Sequence, residues 1–256
     1  MKKIVLLAII SLCIGIAIYF FILKSAPASS TARIAVAANF FHTLKKLKQV
    51  FEEISVHRIT IILGSSGKLY TQIKNGVPVD VFFSADIKRP KLLEQDGYAV
   101  LNTFFVYAKG RLVLWSKHPQ LVDANGEVLG TDKFKRLAIA PIKKAPYGAA
   151  AKQVLKNIGL WEKLWPRIIQ STNLTHLYQL IDNDNADLGF LALSQLIAKK
   201  KIGSQWIVPQ KLYDPLEQGV VLLKRGQNNA AAKAFMQFLQ SAKARSIIEK
   251  FGYEAP

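Results

Sequence analysis

The amino-acid sequence predicts an α/β fold with largely parallel sheets, and two observations support that prediction. Short apolar runs rich in β-branched residues alternate with stretches whose apolar residues recur at helical spacing. The clearest unit, over residues 59–76, is a strand, a glycine–serine turn and a helix. The single cysteine, Cys13, lies in an apolar leader, so the rest of the chain must depend on a hydrophobic core rather than on disulfides.

We expect the first 28 residues to be a secretory signal peptide. Lys2 and Lys3 form a basic start, residues 4–23 are almost wholly apolar, and Ala26-Pro27-Ala28 matches a cleavage site. The apolar run also approaches the ~20 residues of a membrane span, so an uncleaved anchor is the alternative. In both cases the sequence predicts a periplasmic protein.

The strands and helices are predicted in order from apolar periodicity and turn residues. The first strand, residues 33–38, ends at Asn39, which occupies an N-cap position before a helix with apolar residues through Ile54. Further strands are predicted at 60–63, 79–83, within 103–115, and at 137–140, 186–192, 206–209 and 219–223. Further helices are predicted after Gly67, up to Leu93, up to Ile158, over 174–181, from Leu193 and twice within 230–251.

Four strand-to-helix junctions offer unpaired backbone N–H groups. They lie at Asn39 and at residues 64–67, 145–148 and 172–174. Because the start of a helix carries free amides and a partial positive charge, facing junctions would make an anion site. The turn at 64–67 is not a nucleotide P-loop, since Ile62 and Leu69 stand where that motif needs glycine and a hydroxyl. An ordinary serine-capped turn remains the alternative there.

The charge balance favours an anionic partner without choosing among them. The chain carries +18, and without the three lysines of the leader it carries +15. A small oxyanion, a nucleic acid or an acidic membrane surface would each suit this charge. The lysines are scattered and form no basic stripe with interleaved aromatics, which argues against a nucleic-acid-binding module.

Enzymatic readings find little support in the sequence. His42, His57, His118 and His176 show no metal-ligand spacing, and no G-x-S-x-G nucleophile turn occurs. We therefore expect a binding protein without turnover and without a cofactor.

Several segments resemble, in order, the molybdate-binding proteins of bacterial ABC importers (ModA-type), which have the two-lobed periplasmic binding protein fold. The matching segments are VAANF (36–40), GSSGKLYTQIKNG (64–76), VPVDVFFSAD (77–86), YAKGRLVLWS (107–116), LAIAPIKKAPYG (137–148), ADLGFLALSQ (186–195) and FGY (251–253). Some members have a serine in the first loop and a tyrosine after the ADLGF strand. This chain has Phe41 and Ala192 at those positions, so it resembles the branch with asparagine in the first loop.

The resemblance implies an oxyanion bound by Asn39, Ser66, Tyr147 and Leu174, with Ser65 and Asn173 as additional candidates. Ser66 would give hydroxyl and amide, Tyr147 and Leu174 mainly backbone N–H groups, and Tyr147 is also a candidate hydroxyl donor. These residues would hold the metal of molybdate or tungstate only through its oxygens. Lys68 is expected to point to solvent.

The resemblance also implies an organisation and partners. Lobe one would comprise residues 31–107 and 218–256, and lobe two residues 108–217, with two crossings that allow hinge closure. A monomer would deliver the anion to a membrane permease driven by a cytoplasmic ATPase. The alternatives are another tetrahedral oxyanion such as sulfate, or a basic nucleic-acid-binding module.

Overall fold

Two five-stranded sheets organise the chain. The computed structural model describes residues 29–199 and 202–255, so the predicted signal peptide lies outside the described residues. The first sheet has the order β2-β1-β3-β10-β4 and the second the order β7-β6-β8-β5-β9. Helices pack beside both sheets, which confirms the predicted α/β class.

The strands are short and mostly buried. Their bounds are β1 Thr31–Ala37, β2 Arg58–Gly64, β3 Val81–Phe83, β4 Phe105–Gly110, β5 Leu112–Ser116, β6 Leu137–Ile139, β7 Ile168–Gln170, β8 Leu188–Ala192, β9 Ser204–Ile207 and β10 Leu216–Leu222. The strand β7 has no counterpart among the strands predicted from the sequence. Its three residues are too few to show a period.

Nine α-helices and five 3-10 turns occur in the described part of the chain. The α-helices are α1 Phe41–Glu53, α2 Ser66–Lys74, α3 Lys88–Gln95, α4 Pro146–Asn157, α5 Trp161–Leu164, α6 Leu174–Asp182, α7 Leu193–Lys199, α8 Ala230–Leu239 and α9 Ala242–Lys250. The 3-10 turns are Ala38–Phe40, Glu127–Gly130, Trp165–Arg167, Gln210–Leu212 and Lys224–Gly226.

The expectation of largely parallel sheets is wrong. In the first sheet β1 is parallel to β2 and β3, but β10 is antiparallel to β3 and β4. In the second sheet β6 is parallel to β7 and β8, while β5 is antiparallel to β8 and β9. β5 and β10 are antiparallel to both of their neighbours, and each directly follows a passage of the chain between the sheets.

The chain changes sheet twice. The first change lies between Gly110, the last residue of β4, and Leu112, the first residue of β5, and the second lies between Ile207 and Leu216. The strand order shows which strands form each sheet, but it does not define where one lobe ends and the other begins. The lobe boundaries at 107/108 and 217/218 therefore stay a prediction.

Each sheet has its own apolar core. One large cluster surrounds the second sheet, with Trp115 and Phe190 among its fully buried side chains. Two further clusters pack around the first sheet, one built on Phe40 and Phe235 and the other on Leu69. Ile54, which the helical pattern placed on the apolar face of α1, follows the last residue of that helix and is 61% exposed. No helix among residues 29–199 and 202–255 is long and apolar enough to cross a membrane.

Candidate functional site

A small cavity lies where the two sheets present their strand-to-helix junctions. The space open to the centre of a water molecule is about 10 Å³, which is room for about one water. Five of the six candidate residues line it, and the remaining lining residues are small or apolar. The complete lining is Ala37, Ala38, Asn39, Ser65, Ser66, Ala85, Ala145, Pro146, Tyr147 and Leu174.

Three helices begin at this cavity. Ser66 is the first residue of α2, Tyr147 the second residue of α4 and Leu174 the first residue of α6. The first backbone N–H groups of a helix have no acceptor within the helix, and the helix dipole places partial positive charge at this end. The cavity therefore combines three positive helix ends with free amides, an arrangement suited to a small anion.

The Ser66 hydroxyl is held as a donor. The backbone N–H of Ala85 donates to Ser66 Oγ at 2.9 Å, and both residues are buried. Because a hydroxyl has a single proton and Oγ already accepts from Ala85, that proton remains for an occupant of the cavity. Ser65 also lines the cavity, and its carbonyl oxygen accepts from the N–H of Leu69 at 3.0 Å.

Asn173 does not line the cavity. Its side chain caps α6 by accepting from the N–H of His176 at 3.0 Å. Its amide nitrogen lies 3.5 Å from Thr172 Oγ1, to which it donates. The structure thus gives Asn173 a local role at the helix start, next to the Leu174 amide.

The backbone and the hydroxyl of Tyr147 lie in two different parts of the site. Its backbone lies at the start of α4 beside the cavity, whereas its hydroxyl accepts from Gln218 Nε2 at 3.2 Å. A Cβ on Gly110 would lie 2.1 Å from that hydroxyl, so only glycine fits under the tyrosine ring. The hydroxyl therefore belongs to the region between the sheets, where β4 ends.

Asn39 is not a helix cap, contrary to the expectation from the sequence. It lies within the 3-10 turn Ala38–Phe40, and no side chain caps that turn or α1. Its Nδ2 donates to Gln218 Oε1 at 2.8 Å and to the Tyr253 hydroxyl at 3.1 Å. Its Oδ1 is buried and has no hydrogen-bond partner among the described residues.

A buried polar group that we call the hinge cluster lies directly behind the cavity. It consists of Asn39, Tyr107, Tyr147, Ser194, Gln218 and Tyr253. Ser194 Oγ and the Tyr253 hydroxyl both donate to the Asn39 carbonyl oxygen, at 3.0 and 2.9 Å. No ligand-binding role was predicted for Gln218 or Ser194. Asn39 and Tyr147 were candidates, and Tyr107, Ser194 and Tyr253 lie in segments that carry the family resemblance.

The three tyrosines of the hinge cluster keep their protons. Burial raises the pKa of Tyr107 and of Tyr147 well above the ordinary value, and burial also raises the pKa of Tyr253. Hydrogen bonds with Ser194 and Asn39 act in the opposite direction on Tyr253 but do not outweigh burial. Each tyrosine therefore supplies one hydroxyl proton at neutral pH.

Among the described residues, Tyr147 is the only ionisable one that lines the cavity. Lys68 is exposed and lines a separate outer cleft of about 670 Å³, together with Lys143, Lys144, Lys152 and two tryptophans. The small cavity shares only Ser65 with that cleft. Among the residues described, no cluster of three or more His, Cys, Asp or Glu side chains is placed to bind a metal ion.

Direct contacts hold the two sides of the cavity together. The N–H of Gly67 donates to the Lys144 carbonyl oxygen at 2.8 Å. Arg89, which is paired with Asp86, donates through Nη2 to the Lys143 carbonyl oxygen at 3.1 Å. A Cβ on Gly67 would lie 3.0 Å from Lys144 Cα, so a larger residue here would push the Lys144 backbone away by a few tenths of an ångström.

Comparison with known proteins places the chain among solute-binding proteins. A profile of the family described as bacterial extracellular solute-binding protein matches residues 32–254. The molybdate-binding protein ModA of Rhodobacter capsulatus is 47% identical over 219 residues, or 86% of each chain. The ModA of Azotobacter vinelandii is 41% identical over 234 residues, which cover 91% of this chain and 93% of that one.

A solved structure agrees with these sequence relatives. The periplasmic molybdate-binding protein of Azotobacter vinelandii superposes with a TM-score of 0.85 at 41% identity. The superposition covers 88% of this chain and 99% of that chain. The likeness thus extends through nearly all of the relative's fold.

Proposed function

Since the chain belongs to the bacterial extracellular solute-binding proteins and, within them, to the ModA family with its two-lobed periplasmic binding protein fold, we propose that it captures molybdate. One observation supports this most: three helix starts and the Ser66 hydroxyl converge on a cavity that is lined by no lysine, arginine or carboxylate of the described part of the chain. Members of this family bind a solute and do not transform it, so the chain is a binding protein and not an enzyme.

Neutral donors suit molybdate because of its protonation. Molybdate near neutral pH is a tetrahedral dianion without protons, so it accepts hydrogen bonds and donates none. The proposed donors are Ser66 Oγ and the backbone N–H groups of Ser66, Tyr147 and Leu174, with Asn39 and Ser65 completing the lining. A carboxylate at the site would repel such an ion, whereas hydrogenphosphate would use one as an acceptor for its proton.

The donors are numerous enough for tight binding. A hydrogen bond to a charged group contributes roughly 1.5–3 kcal/mol net. Four donors are named above, and the Asn39 amide and the Ser65 hydroxyl would make six, which give on the order of 9–18 kcal/mol, from which at least about 4 kcal/mol is lost to association. Sub-micromolar affinity requires more than about 8 kcal/mol, which lies within the resulting range of about 5–14 kcal/mol without a buried cation.

Delivery to an importer is part of the proposal. The docking partner would be a membrane permease driven by a cytoplasmic ATPase, as expected of a solute-binding protein in an ABC importer. We propose that the protein acts as a monomer in the periplasm and that residues 1–28 direct its export. In this structure the cavity has room for about one water, so the two lobes, 31–107 with 218–256 and 108–217, would move apart to admit the ion and then close over it through the two sheet crossings.

Calorimetric titration of the purified protein with molybdate, tungstate, sulfate and a short DNA duplex tests the proposal. We expect sub-micromolar binding of one molybdate per chain, similar binding of tungstate, and much weaker binding of sulfate, which is smaller and leaves donors unpaired. If sulfate binds more tightly than molybdate, sulfate and not molybdate is the ligand. Binding of the duplex with no response to any oxyanion would favour a nucleic-acid-binding module instead.

A further inference from the structure

We propose that Gln218 is a positioning residue that determines which end of the Asn39 carboxamide faces the anion, and that it thereby selects anions without a proton. This inference rests on the proposed function and concerns residues behind the cavity. Gln218 is fully buried on β10, the strand by which the chain re-enters the first sheet. Its carboxamide bonds to Asn39 on one side and to Tyr147 on the other.

In the arrangement described above, two acceptors compete for one proton of the hinge cluster and a third acceptor has no donor. The Tyr107 hydroxyl lies 2.9 Å from Gln218 Oε1 and 3.2 Å from the Ser84 carbonyl oxygen, so one proton faces two acceptors. Asn39 Oδ1 is buried without a partner among the described residues. Proteins rarely keep a buried acceptor without a donor, because the loss of hydration is not repaid.

The same distances fit a second arrangement in which both carboxamides are turned over. The oxygen and nitrogen of a carboxamide are distinguished by their partners. After the reversal, Gln218 Nε2 donates to Asn39 Oδ1 and to the Tyr107 hydroxyl, and the Tyr107 proton goes to the Ser84 carbonyl oxygen alone. The Tyr147 hydroxyl donates to Gln218 Oε1. The Tyr253 hydroxyl, 3.1 Å from the turned Asn39 atom, then no longer accepts from it and can donate its proton either to Asn39 Oδ1 or to the Asn39 carbonyl oxygen, which also accepts from Ser194 Oγ. Gln218 Oε1, Asn39 Oδ1 and the Ser84 carbonyl oxygen each have a donor.

The reversal gives Asn39 a donor role towards the ligand. Its NH2 group takes the position at which Oδ1 had no partner, and a bound anion can accept from it there. Molybdate only accepts hydrogen bonds, so it gains from this orientation. Hydrogenphosphate has a proton to donate and would gain from the opposite orientation, with Oδ1 towards the ion. The orientation that Gln218 imposes on the Asn39 carboxamide thus determines whether the site favours an anion without a proton.

Replacement of Gln218 by glutamate tests this connection. An ionised carboxylate only accepts hydrogen bonds, so it should hold the Asn39 NH2 group towards itself and leave Oδ1 towards the anion. We would titrate wild type and Gln218→Glu by calorimetry with molybdate and, separately, with hydrogenphosphate in mildly alkaline buffer, where both ions carry two charges. The added charge repels both dianions alike, so the ratio of the two dissociation constants isolates the effect of the amide.

We expect that ratio to shift towards hydrogenphosphate by at least about tenfold in Gln218→Glu, which corresponds to about 1.4 kcal/mol. Gln218→Met keeps a similar shape without hydrogen bonds, and it should shift the ratio less because Asn39 can then turn either way. Gln195→Glu is the matched control. Gln195 is also buried and donates to the Leu174 carbonyl oxygen at 3.0 Å, so its replacement should weaken both anions without changing the ratio.

An unchanged ratio in Gln218→Glu would overturn the role of Gln218 and leave the proposed function intact. A wild-type protein that does not bind molybdate would overturn the proposed function itself. If Gln218→Glu does not fold, Gln218→Met supplies the test, because it removes the hydrogen bond that orients the Asn39 amide. It should lose more affinity for molybdate than for hydrogenphosphate, and equal losses would overturn the proposal.

Discussion

Ser66→Ala should weaken molybdate binding by roughly ten- to a hundredfold. The Ser66 hydroxyl accepts from the Ala85 N–H, which leaves its single proton for the anion. Loss of one hydrogen bond to a buried dianion costs about 1.5–3 kcal/mol, and each factor of ten in affinity corresponds to about 1.4 kcal/mol. Ser66 is 1% exposed, so water cannot readily replace the missing donor. Calorimetry with molybdate measures this loss.

The same substitution should also lower the stability of the ligand-free protein. It leaves the Ala85 N–H without its acceptor, and an unpaired buried donor costs about 1–3 kcal/mol. For a protein of this size each kcal/mol lowers the melting temperature by about 2–4 °C. Thermal unfolding without ligand separates this effect from the loss of binding.

Lys68→Ala is the matched control for Ser66→Ala, since Lys68 lies two residues away but is exposed in the outer cleft. Its loss should cost less than about 1 kcal/mol of binding, and less still in high salt, which screens exposed charges. The reasoning is refuted if Lys68→Ala is the more damaging change in high salt, because the ion would then be held by a cation.

Three further predictions follow from close contacts and from one histidine. Gly67→Ala places a methyl group 3.0 Å from Lys144 Cα, so we expect weaker molybdate binding and, by small-angle scattering, a protein that stays more open; unchanged compaction would contradict this. Gly110→Ala crowds the Tyr147 hydroxyl at 2.1 Å and should lower both the melting temperature and the affinity, whereas an unaltered melting curve would argue against the packing described. Burial, and then the charges of two lysines, lower the pKa of His42, so stability should be complete above about pH 6.5 and fall as the pH drops below it. His42→Gln should flatten the melting temperature over that pH range, and an identical pH dependence in the variant would exclude His42 as the cause.

The sequence anticipated those parts of the site that local patterns specify. The turn before Ser66, the proline before Tyr147 and the polar run before Leu174 each mark a helix start within a few residues. Helix starts depend on neighbouring residues, so these junctions are visible in one chain. Their convergence on one cavity is not a local property, and it was expected only through the family resemblance.

Contacts between residues far apart in the chain could not be predicted from the sequence. Asn39 bonds to Gln218 across 179 positions and to Tyr253 across 214 positions, and no periodicity reports such pairs. The 3-10 turn at Asn39 replaced the expected N-cap because the Asn39 side chain bonds within the hinge cluster instead of to its own helix. β10 is likewise antiparallel to its neighbours because the chain returns from the other sheet at this strand, which no local pattern indicates.

The position of the bound ion tests the central claim most directly. Crystals grown with sodium molybdate, measured at the molybdenum absorption edge, would locate the metal without reference to the protein atoms. We expect one anomalous peak per chain, in the cavity lined by Asn39, Ser66, Tyr147 and Leu174 and within hydrogen-bond reach of their donors through its oxygens. A peak in the outer cleft beside Lys68, with the small cavity empty, would contradict the account.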